Sequence, residues 1–301
     1  MPTLHCLGFG LVTHDRMLMP DHFPLPNQKL VVKHWYEQVG GPVAVGVMAM
    51  AALGLRVHWG LALPRSSSYQ IVRAQFDALG VGYDEAAAEP NKPNLPEAIL
   101  LIEPTSGERT VLLREQPRLW LEQFEQEQAR LPEAEWLYCD ARDYAFMMRL
   151  KSWARERRMK IFLDIGGLRP HWEELLTDCE VVIVSDDFVH EVDAQLLPKQ
   201  LLLRLAGLGV KLAGVTRGRA GSVFYDGKTM LNCPAAPVAH AVDSTNAGDV
   251  FHGAFLSAWI KSRSVAKSAA FASRCAAWVV TQIGHNLNCL PQDFKHELQN
   301  L

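Results

Sequence analysis

A short run of small and polar residues leads from Asp243 into an apolar helical pattern, and a carboxylate, Asp249, stands at the start of that pattern. Ala247 and Gly248 leave backbone N–H groups uncovered where the predicted helix begins. Those groups and the positive end of the helix dipole could hold an anion. Asp249 is then either a helix cap, which contributes about 0.5–2 kcal/mol, or a base that takes a proton from a hydroxyl during phosphoryl transfer. The residues alone leave both interpretations open.

The stretch 243–253 resembles the second signature of the ribokinase-like (PfkB) carbohydrate kinase family, D-T-x-G-A-G-D-x-F-x-G. In that family the final Asp is the catalytic base, so the resemblance makes Asp249 the expected base here. The backbone of the G-A-G makes the anion hole, and three residues take that place in this chain: Asn246, Ala247 and Gly248. Asn246 replaces the first Gly of the family. Asn tolerates a positive φ better than most residues, but its side chain would crowd the phosphate.

A weaker match lies near the N-terminus, on the sugar side of the family's site. Gly40 and Gly41 match the glycines of the first signature, G-G-x-x-x-N, and the resemblance assigns them to substrate contact. The Asn of that signature is Val45 here. Asp15, five residues after Gly10, matches the family's opening G-x-x-x-x-D, whose Asp accepts hydrogen bonds from two sugar hydroxyls. Asp15 is therefore the expected sugar-binding carboxylate.

Arg142 follows a predicted strand that ends at Cys139, at the edge where ligands bind in α/β folds. It either pairs with an anionic or hydroxyl-rich group of the substrate or only forms a salt bridge. Ketohexokinases and bacterial sulfofructose kinases have a similarly placed Arg, and the run 249–254 resembles the latter. The resemblance therefore places the chain in that branch of the family.

On the nucleotide side, Thr216, Gly218 and Gly221 match the family's turn T-x-G-x-x-G. The glycines would let the backbone approach ATP closely, and the resemblance assigns all three residues to cofactor binding. A purely structural turn explains the two glycines equally well. The assignment therefore depends on the family match.

The resemblance also implies metal ions. Family members use ATP with Mg²⁺, and many use a monovalent cation beside the anion hole, so Asp243 and Ser244 are expected to contact K⁺. The family's N-x-x-E motif, which helps to organise magnesium and phosphate, is changed at both ends here, to Ser185 and Phe188. The two acids between these positions either replace the motif or are solvated.

Short apolar runs alternate with helix-like segments, which predicts an α/β fold with a mainly parallel sheet covered on both faces. The resemblance refines this to a ribokinase-like three-layer αβα sandwich with a small β-sheet lid. We expect a single domain, 1–301, with lid segments at about 11–36 and 96–114. Four apolar residues of the second segment fit either a homodimer formed through the lid or a lid packed on its own domain: Ile99, Leu101, Val111 and Leu113.

The composition excludes several classes of protein. Lys and Arg number 30 and Asp and Glu 33, for a formal net charge of -3, so the chain lacks the clustered basic excess of nucleic-acid-binding proteins. None of the six cysteines forms a C-x-x-C pair of the kind found in zinc sites. The N-terminal residues lack a signal-peptide pattern, and no stretch reaches the roughly 20 apolar residues of a membrane span. We expect a cytoplasmic protein with neither membrane nor nucleic-acid partners.

Three other motifs are set aside. Residues 221–229 resemble a P-loop, but five residues separate the glycines where four are needed, so a strand and a hairpin turn are expected. Gly8 and Gly10 follow a strand, but Thr13 stands where a dinucleotide fingerprint has Gly. His252, one turn inside the predicted helix, is more typical of a helix-face residue than of a ligand.

The sequence thus predicts an ATP-dependent kinase that phosphorylates a hydroxyl on a small sugar or sugar derivative, with a ketose favoured. Two alternatives stay open. One is a nucleoside kinase of the same superfamily, and the other is a non-catalytic sugar- or nucleotide-binding protein on the same fold. Four departures from the family pattern motivate the non-catalytic alternative: Val45, Asn246, Ser185 and Phe188.

Overall fold

The computed structural model describes residues 4–87, 94–114, 116, 118 and 120–301. Its strands are, in chain order, β1 (Leu4–Phe9), β2 (Thr13–Met19), β3 (His34–Gly40), β4 (Val57–Trp59), β5 (Leu63–Pro64), β6 (Glu85–Ala86), β7 (Glu97–Ile102), β8 (Arg109–Arg114), β9 (Ala134–Cys139), β10 (Lys160–Ile165), β11 (Val181–Ser185), β12 (Leu212–Thr216), β13 (Ser222–Tyr225) and β14 (Met230–Cys233). Its α-helices are α1 (Pro42–Ala52), α2 (Gln70–Leu79), α3 (Trp120–Glu127), α4 (Tyr144–Glu156), α5 (Trp172–Leu176), α6 (Asp186–Val192), α7 (Pro198–Gly207), α8 (Ala247–Ser262), α9 (Val265–Val279) and α10 (Gln292–Gln299). Both lists cover the described residues only.

The main sheet has eight strands in the spatial order β14-β13-β12-β11-β10-β9-β1-β4. The six strands from β12 to β4 are parallel, and β13 and β14 extend one edge in antiparallel fashion. The strand order reverses at β1 and β9: the chain builds outward from β1 to β4, then in the opposite direction from β9. Ligands in open α/β sheets bind at the carboxyl ends of the strands beside such a reversal. The residues that follow β1 and β9 are therefore the first place to look for a site.

Helices cover both faces of this sheet, as the alternation of elements predicts. One buried cluster joins α1, α2, α8 and α9 to the sheet, and a second joins α3 to α7 to its other face. The run 181–184 of β11 is apolar at every position because both of its faces are covered. Among the helices of the described residues, none has the length and apolar character needed to cross a membrane.

The lid is a four-stranded sheet in the order β3-β2-β7-β8. It joins both predicted lid segments, although β3 runs on to Gly40, beyond the expected end near residue 36. Ile99 pairs with Leu112 across β7 and β8, and Leu100 pairs with Val111. Because paired residues share a face, Val111 and Leu113 face the opposite side from Ile99 and Leu101, and the four residues do not form one patch.

Residues 221–229, which resemble a P-loop in sequence, form part of a hairpin, as expected. β13 and β14 pair antiparallel, and the turn between them is held by Asp226, whose Oδ1 accepts hydrogen bonds from the amides of Lys228 (3.0 Å) and Thr229 (2.7 Å). The residues between Gly221 and Gly227 therefore form strand β13 and the start of its turn. No phosphate-binding function is needed to explain them.

Helices α1 and α8 touch backbone to backbone, because a Cβ on Gly253 would collide with the carbonyl oxygen of Gly46. We expect Gly253→Ala to lower the free energy of unfolding by about 1–3 kcal/mol, because the two buried helices must separate. Gly207→Ala is the matched control. Gly207 lies at the exposed end of α7 with open space around it, so this change should add about 0.5–1 kcal/mol. Urea unfolding measures both, and equal effects would contradict the close helix contact.

Candidate active site

The predicted anion-binding segment lies at the N-terminus of α8. Asn246 is the N-cap residue and adopts the left-handed conformation, with φ 61° and ψ 7°. Asp249 lies in the first turn of the helix. Its Oδ2 accepts a hydrogen bond of 3.0 Å from Nδ2 of Asn246. Asn246 thus keeps the loop geometry expected of a Gly, and its side chain turns toward Asp249.

Backbone amides at this helix end point toward the place where an anion would bind. The amide of Ala247 donates to the carbonyl oxygen of Ser244 at 3.3 Å. For the amides of Gly248 and Asp249, no acceptor is found within the described ranges. Gly248 is exposed and its α-carbon faces open space. The first turn of α8 therefore offers uncovered N–H groups and a positive dipole end next to a carboxylate.

The surroundings of Asp249 raise its pKa above the ordinary carboxyl range. Burial is the main cause, and the negative charge of Asp164 adds to it. The hydrogen bond from Asn246 and the positive charges of His252 and Arg109 act in the opposite direction. A carboxyl group with a raised pKa is a stronger base once ionised, which suits it to accept a hydroxyl proton near neutral pH.

A buried polar network lies one helical turn below Asp249. Oδ2 of Asp164, at the end of β10, accepts a hydrogen bond of 3.0 Å from the Tyr138 hydroxyl and lies 2.7 Å from Nδ1 of His252. Burial alone would lower the pKa of His252, but the charge and hydrogen bonding of Asp164, together with the charge of Asp249, raise it above its ordinary value. His252 is thus a buried partner of an acid, which the sequence pattern of a helix face did not predict.

On the lid, Asp15 faces the helix end that carries Asp249. It is 5% exposed, and its Oδ1 accepts a hydrogen bond of 2.6 Å from the Thr13 hydroxyl. Burial raises the pKa of Asp15 to about 6, and the negative charge of Asp249 contributes to that rise. A side chain at Gly40 would collide with the Asp15 carboxylate. Gly40 therefore leaves room for Asp15, and the structure brings these two of the predicted sugar-side residues together.

Gly41 makes the transition from the lid to the main domain. It is the N-cap of α1 with φ 98°, and a side chain there would collide with the carbonyl oxygen of Leu11. A residue that combines a positive φ with this close approach must be Gly. The turn after β1 and the start of α1 consequently lie against each other at the carboxyl edge of the main sheet.

Arg142 already has a partner in the protein. Its Nε lies 3.4 Å from Oδ2 of Asp140, and its amide donates to Oδ1 of the same residue at 3.3 Å. Oδ2 of Asp140 also accepts a hydrogen bond of 2.8 Å from the amide of Leu11. Arg142 therefore forms a salt bridge with Asp140, and the pair ties the ends of β1 and β9 together where the strand order reverses.

A cleft of about 230 Å³ opens beside this junction. Residues 10–12 form one side, and Trp59, Tyr69 and Trp120 lie around it. Neither Asp15 nor Asp249 lines the cleft. The cleft is therefore not formed by the two carboxylates, of which Asp15 is buried and Asp249 half-buried.

The predicted nucleotide turn follows β12, three strands away from β9 in the sheet. The Thr216 hydroxyl donates to the carbonyl oxygen of Val184 at 3.3 Å. Gly221 has φ 80°, and a side chain there would collide with the carbonyl oxygen of Cys233, so the hairpin itself requires this Gly. Gly218 has φ 51° with open space around it. The hairpin does not require a Gly at position 218, so of the two glycines only Gly218 could be explained by close approach of a ligand.

The loop before α8 is rich in oxygen atoms. Asp243 is fully buried, and its carboxylate accepts hydrogen bonds from the amides of Thr245 (2.8 Å) and Gly284 (2.9 Å). The amide of Ser244 donates to the carbonyl oxygen of Gly107 in the lid hairpin at 2.8 Å. The buried hydroxyl of Thr245 has no hydrogen-bond partner within the described part of the chain. The loop therefore has oxygen ligands of the kind that a monovalent cation takes.

The remaining departures from the family pattern are built into the fold. Val45 is fully buried in α1. Ser185 caps α6: its Oγ accepts a hydrogen bond of 3.1 Å from the amide of Phe188 and donates one of 3.0 Å to the carbonyl oxygen of Gly166. Phe188 packs edge-on against Trp172, with ring centroids 5.5 Å apart. Core packing and a helix cap account for all three changes.

Sequence reasoning missed several residues that surround Asp249. Asp164 and Tyr138 stand in buried strands, where a polar residue within an apolar run was the available signal. Arg109 begins β8 on the inner face of the lid. Gln38 lies on β3 directly opposite Asp15. A lone Gln or Arg in a lid segment carries no sequence signal of its own.

Comparison with known proteins identifies the family. The sequence model of the pfkB family carbohydrate kinases matches residues 4–293. A nucleoside kinase of Methanothermobacter thermautotrophicus is 22% identical over 287 residues, which cover 94% of this chain and 91% of that protein. The solved ribokinase of Giardia lamblia superposes with a TM-score of 0.83 at 17% identity and covers 99% of this chain and 100% of that one. The ribokinase of Arabidopsis thaliana, solved with ribose and ATP, superposes with a TM-score of 0.81 at 19% identity and covers 99% of both chains.

The structural likeness confirms the ribokinase-like fold, with its mostly parallel sheet and its smaller lid sheet. The family match covers nearly the whole chain, including the first turn of α8 and both strands that begin the lid. The chain therefore belongs to the pfkB family of carbohydrate kinases and is an ATP-dependent kinase.

Proposed function

We propose that the protein transfers the γ-phosphoryl group of ATP to a hydroxyl of a small sugar, with Asp249 as the catalytic base. The observation that carries this proposal is the juxtaposition at the start of α8: a carboxylate with a raised pKa beside the uncovered amides of Gly248 and Asp249. An anion site next to a base is what phosphoryl transfer to a hydroxyl requires.

In the proposed reaction, the two oxygens of the Asp249 carboxylate have different partners. Oδ2 of Asp249 is occupied by Asn246, so Oδ1 accepts the hydroxyl proton. The hydroxyl oxygen forms a bond to the γ-phosphorus as the bond to the β-phosphate bridging oxygen breaks, and ADP leaves with that electron pair. The uncovered amides of Gly248 and Asp249 offset the charge on the transferred group. Mg²⁺ bound with ATP supplies further positive charge to the phosphates.

The substrates lie on either side of this centre in the proposal. The sugar contacts Asp15, Gly40 and Gly41 under the lid, where the carboxylate can accept hydrogen bonds from two hydroxyls. Arg142 contributes through its pair with Asp140 at the edge of the sugar site. The nucleotide lies along Thr216, Gly218 and Gly221, with the open space at Gly218 on its side.

We propose further that the acceptor is a ketose and that the protein lies in the ketohexokinase and sulfofructose kinase branch of the family. The run 249–254 and the position of Arg142 support this placement. A nucleoside acceptor is the second candidate. The observation in its favour is the Methanothermobacter thermautotrophicus nucleoside kinase, which matches almost the entire chain. A phosphotransfer screen with ATP over free ketoses, sulfonated sugars, aldoses and ribonucleosides separates the two. Turnover of ketoses without ribonucleosides supports the first candidate, and the reverse result supports the second.

The charge of Asp15 predicts how sugar binding depends on pH. Because the pKa of Asp15 is about 6, the carboxyl is neutral below that pH and becomes a weaker acceptor for hydroxyls. The KM for the sugar should therefore rise as pH falls through about 6, while the KM for ATP changes little. Above that pH, where wild-type Asp15 is ionised, Asp15→Asn should raise the sugar KM about tenfold, and the variant should not show the rise in KM at lower pH. A sugar KM that stays constant from about pH 5 to about pH 8 would contradict the assignment.

Two further features stay proposals. The oxygen-rich loop at Asp243 and Ser244, with the unpartnered hydroxyl of Thr245 within the described residues, fits K⁺. The outer face of the lid, which exposes Trp35, Ile99 and Leu112, fits a homodimer formed through the lid. Light scattering in solution tests the dimer, and rates in potassium against choline salts test the cation.

A further inference from the structure

The side chain at position 246 connects the lid to Asp249. Asn246 is 7% exposed, so its carboxamide is almost completely enclosed. Its Nδ2 donates to Oδ2 of Asp249 at 3.0 Å, and its Oδ1 accepts from Nε2 of Gln38 at 2.7 Å. A Gly at position 246, as in the family signature, could make neither contact.

The orientation of both amides follows from a single backbone donor. The amide of His285 donates to one side-chain atom of Gln38 at 3.0 Å, and a backbone N–H can only donate, so that atom must be the carbonyl oxygen Oε1. Nε2 of Gln38 is then a donor, and the atom of Asn246 that it meets must be Oδ1. Nδ2 of Asn246 consequently faces Asp249. The usual ambiguity between the O and N atoms of amides is thereby removed.

Neighbouring strands and loops pack closely around the side chain of Gln38. Gln38 is 6% exposed on β3, directly opposite Asp15 on β2. Gly284 has φ 67°, and a side chain there would collide with Oε1 of Gln38. The loop before His285 thus passes directly against this amide. The uncharged side chains of Gln38 and Asn246 therefore lie where three segments meet: lid strand β3, the 284–285 loop and the start of α8.

We propose that Gln38 and Asn246 are positioning residues that hold the Asp249 carboxylate by Oδ2 and couple it to lid strand β3, leaving Oδ1 for the acceptor hydroxyl. The proposal rests on the proposed function of Asp249 as the base. Neither residue touches the reacting atoms. Their effect is to fix the orientation of the base and to stabilise its charged form through a hydrogen bond.

Five other titratable groups act on Asp249 from the elements packed around it: Asp15 of β2, Arg109 of β8, Tyr138 of β9, Asp164 of β10 and His252 of α8. All of them stay in place when Asn246 is changed. The hydrogen bond from Asn246 lowers the pKa of Asp249 against the larger effect of burial. Loss of that bond should therefore raise the pKa of Asp249.

Asn246→Gly is the sharpest test, because Gly adopts a φ of 61° without strain and restores the family's own residue. Below the midpoint of the acid limb of the pH profile, we expect kcat to fall about tenfold relative to wild type, the size expected for one hydrogen bond to a charged group. Gln38→Met keeps the side-chain volume and removes both amide contacts. It should therefore also move the acid limb of the pH profile to higher pH. The double variant should move it no further than Asn246→Gly alone.

A direct titration makes the test independent of turnover. The carboxyl-carbon resonance of Asp249 in aspartate-labelled protein, assigned by its loss in Asp249→Asn, should titrate at higher pH in Asn246→Gly than in wild type. Gln299→Met, at the exposed end of α10, is the matched control and should leave the titration unchanged. An unmoved Asp249 resonance in Asn246→Gly, or fully additive effects of the two changes, would overturn the coupling. Near-normal kcat in Asp249→Asn would instead overturn the proposed function.

Discussion

Asp249→Asn should lower kcat by about 10²- to 10⁴-fold and leave the KM for ATP almost unchanged. The substitution keeps the size of the side chain and still accepts the hydrogen bond from Asn246, so the first turn of α8 stays in place. What is lost is the group that takes the hydroxyl proton. Steady-state rates on the acceptor found by the screen measure the effect, and far-ultraviolet circular dichroism shows whether the fold is retained.

Asp293→Asn is the matched control for that experiment. Asp293 also lies in the first turn of a helix, α10, but it is exposed. If the first-turn carboxylate of α8 were only a cap, the two variants would lose similar, small amounts of stability and neither would lose activity. A large drop in kcat confined to Asp249→Asn separates the base from the cap. Normal turnover in Asp249→Asn would remove the basis for the catalytic assignment.

The start of α8 could be predicted because its signals are local. A loop of small and polar residues followed by an apolar helical run marks a helix N-terminus wherever it occurs. The alternation of apolar strands with helices likewise predicts a covered parallel sheet. These features predict that Asp249 lies at the start of a helix and that the sheet is mainly parallel, and the structure has both features.

The lid was harder to predict because its strands are short and half exposed. β3 has four exposed residues followed by three buried ones, without the alternation that marks a strand. The role of Gln38 depends on the pairing of β3 with β2 and on a contact with Asn246, 208 residues away in sequence. No local pattern contains that information. The same holds for Arg142, whose partner Asp140 becomes clear only in the folded chain.

The departures from the family signatures also have a physical explanation that the sequence alone did not give. Val45 and Phe188 pack in the core, and Ser185 caps a helix. Asn246 is different, because its side chain is directed at Asp249. A change of Gly to Asn that at first suggests a weakened anion hole is, in the structure, an added hydrogen bond to Asp249.

The buried pair of Asp164 and His252 predicts a large effect on stability. Asp164→Ala should lower the free energy of unfolding by about 3–5 kcal/mol, because it leaves the charge of His252 buried without a partner. The Tyr138 hydroxyl loses its acceptor as well. Urea unfolding at neutral pH measures this change. His252→Asn, which keeps a donor toward Asp164 and removes the ionisable group, is the milder companion variant.

The same pair predicts how stability depends on pH. The pKa of His252 is raised in the folded state above its ordinary value of about 6.5, so the folded protein holds a proton that the unfolded chain releases. The stabilisation from that proton is complete below about pH 6.5 and is lost as pH rises through the folded pKa. The free energy of unfolding of the wild type should therefore fall with pH across this window. His252→Asn should show a shallower fall, and parallel curves for the two proteins would mean that His252 is neutral in the folded state.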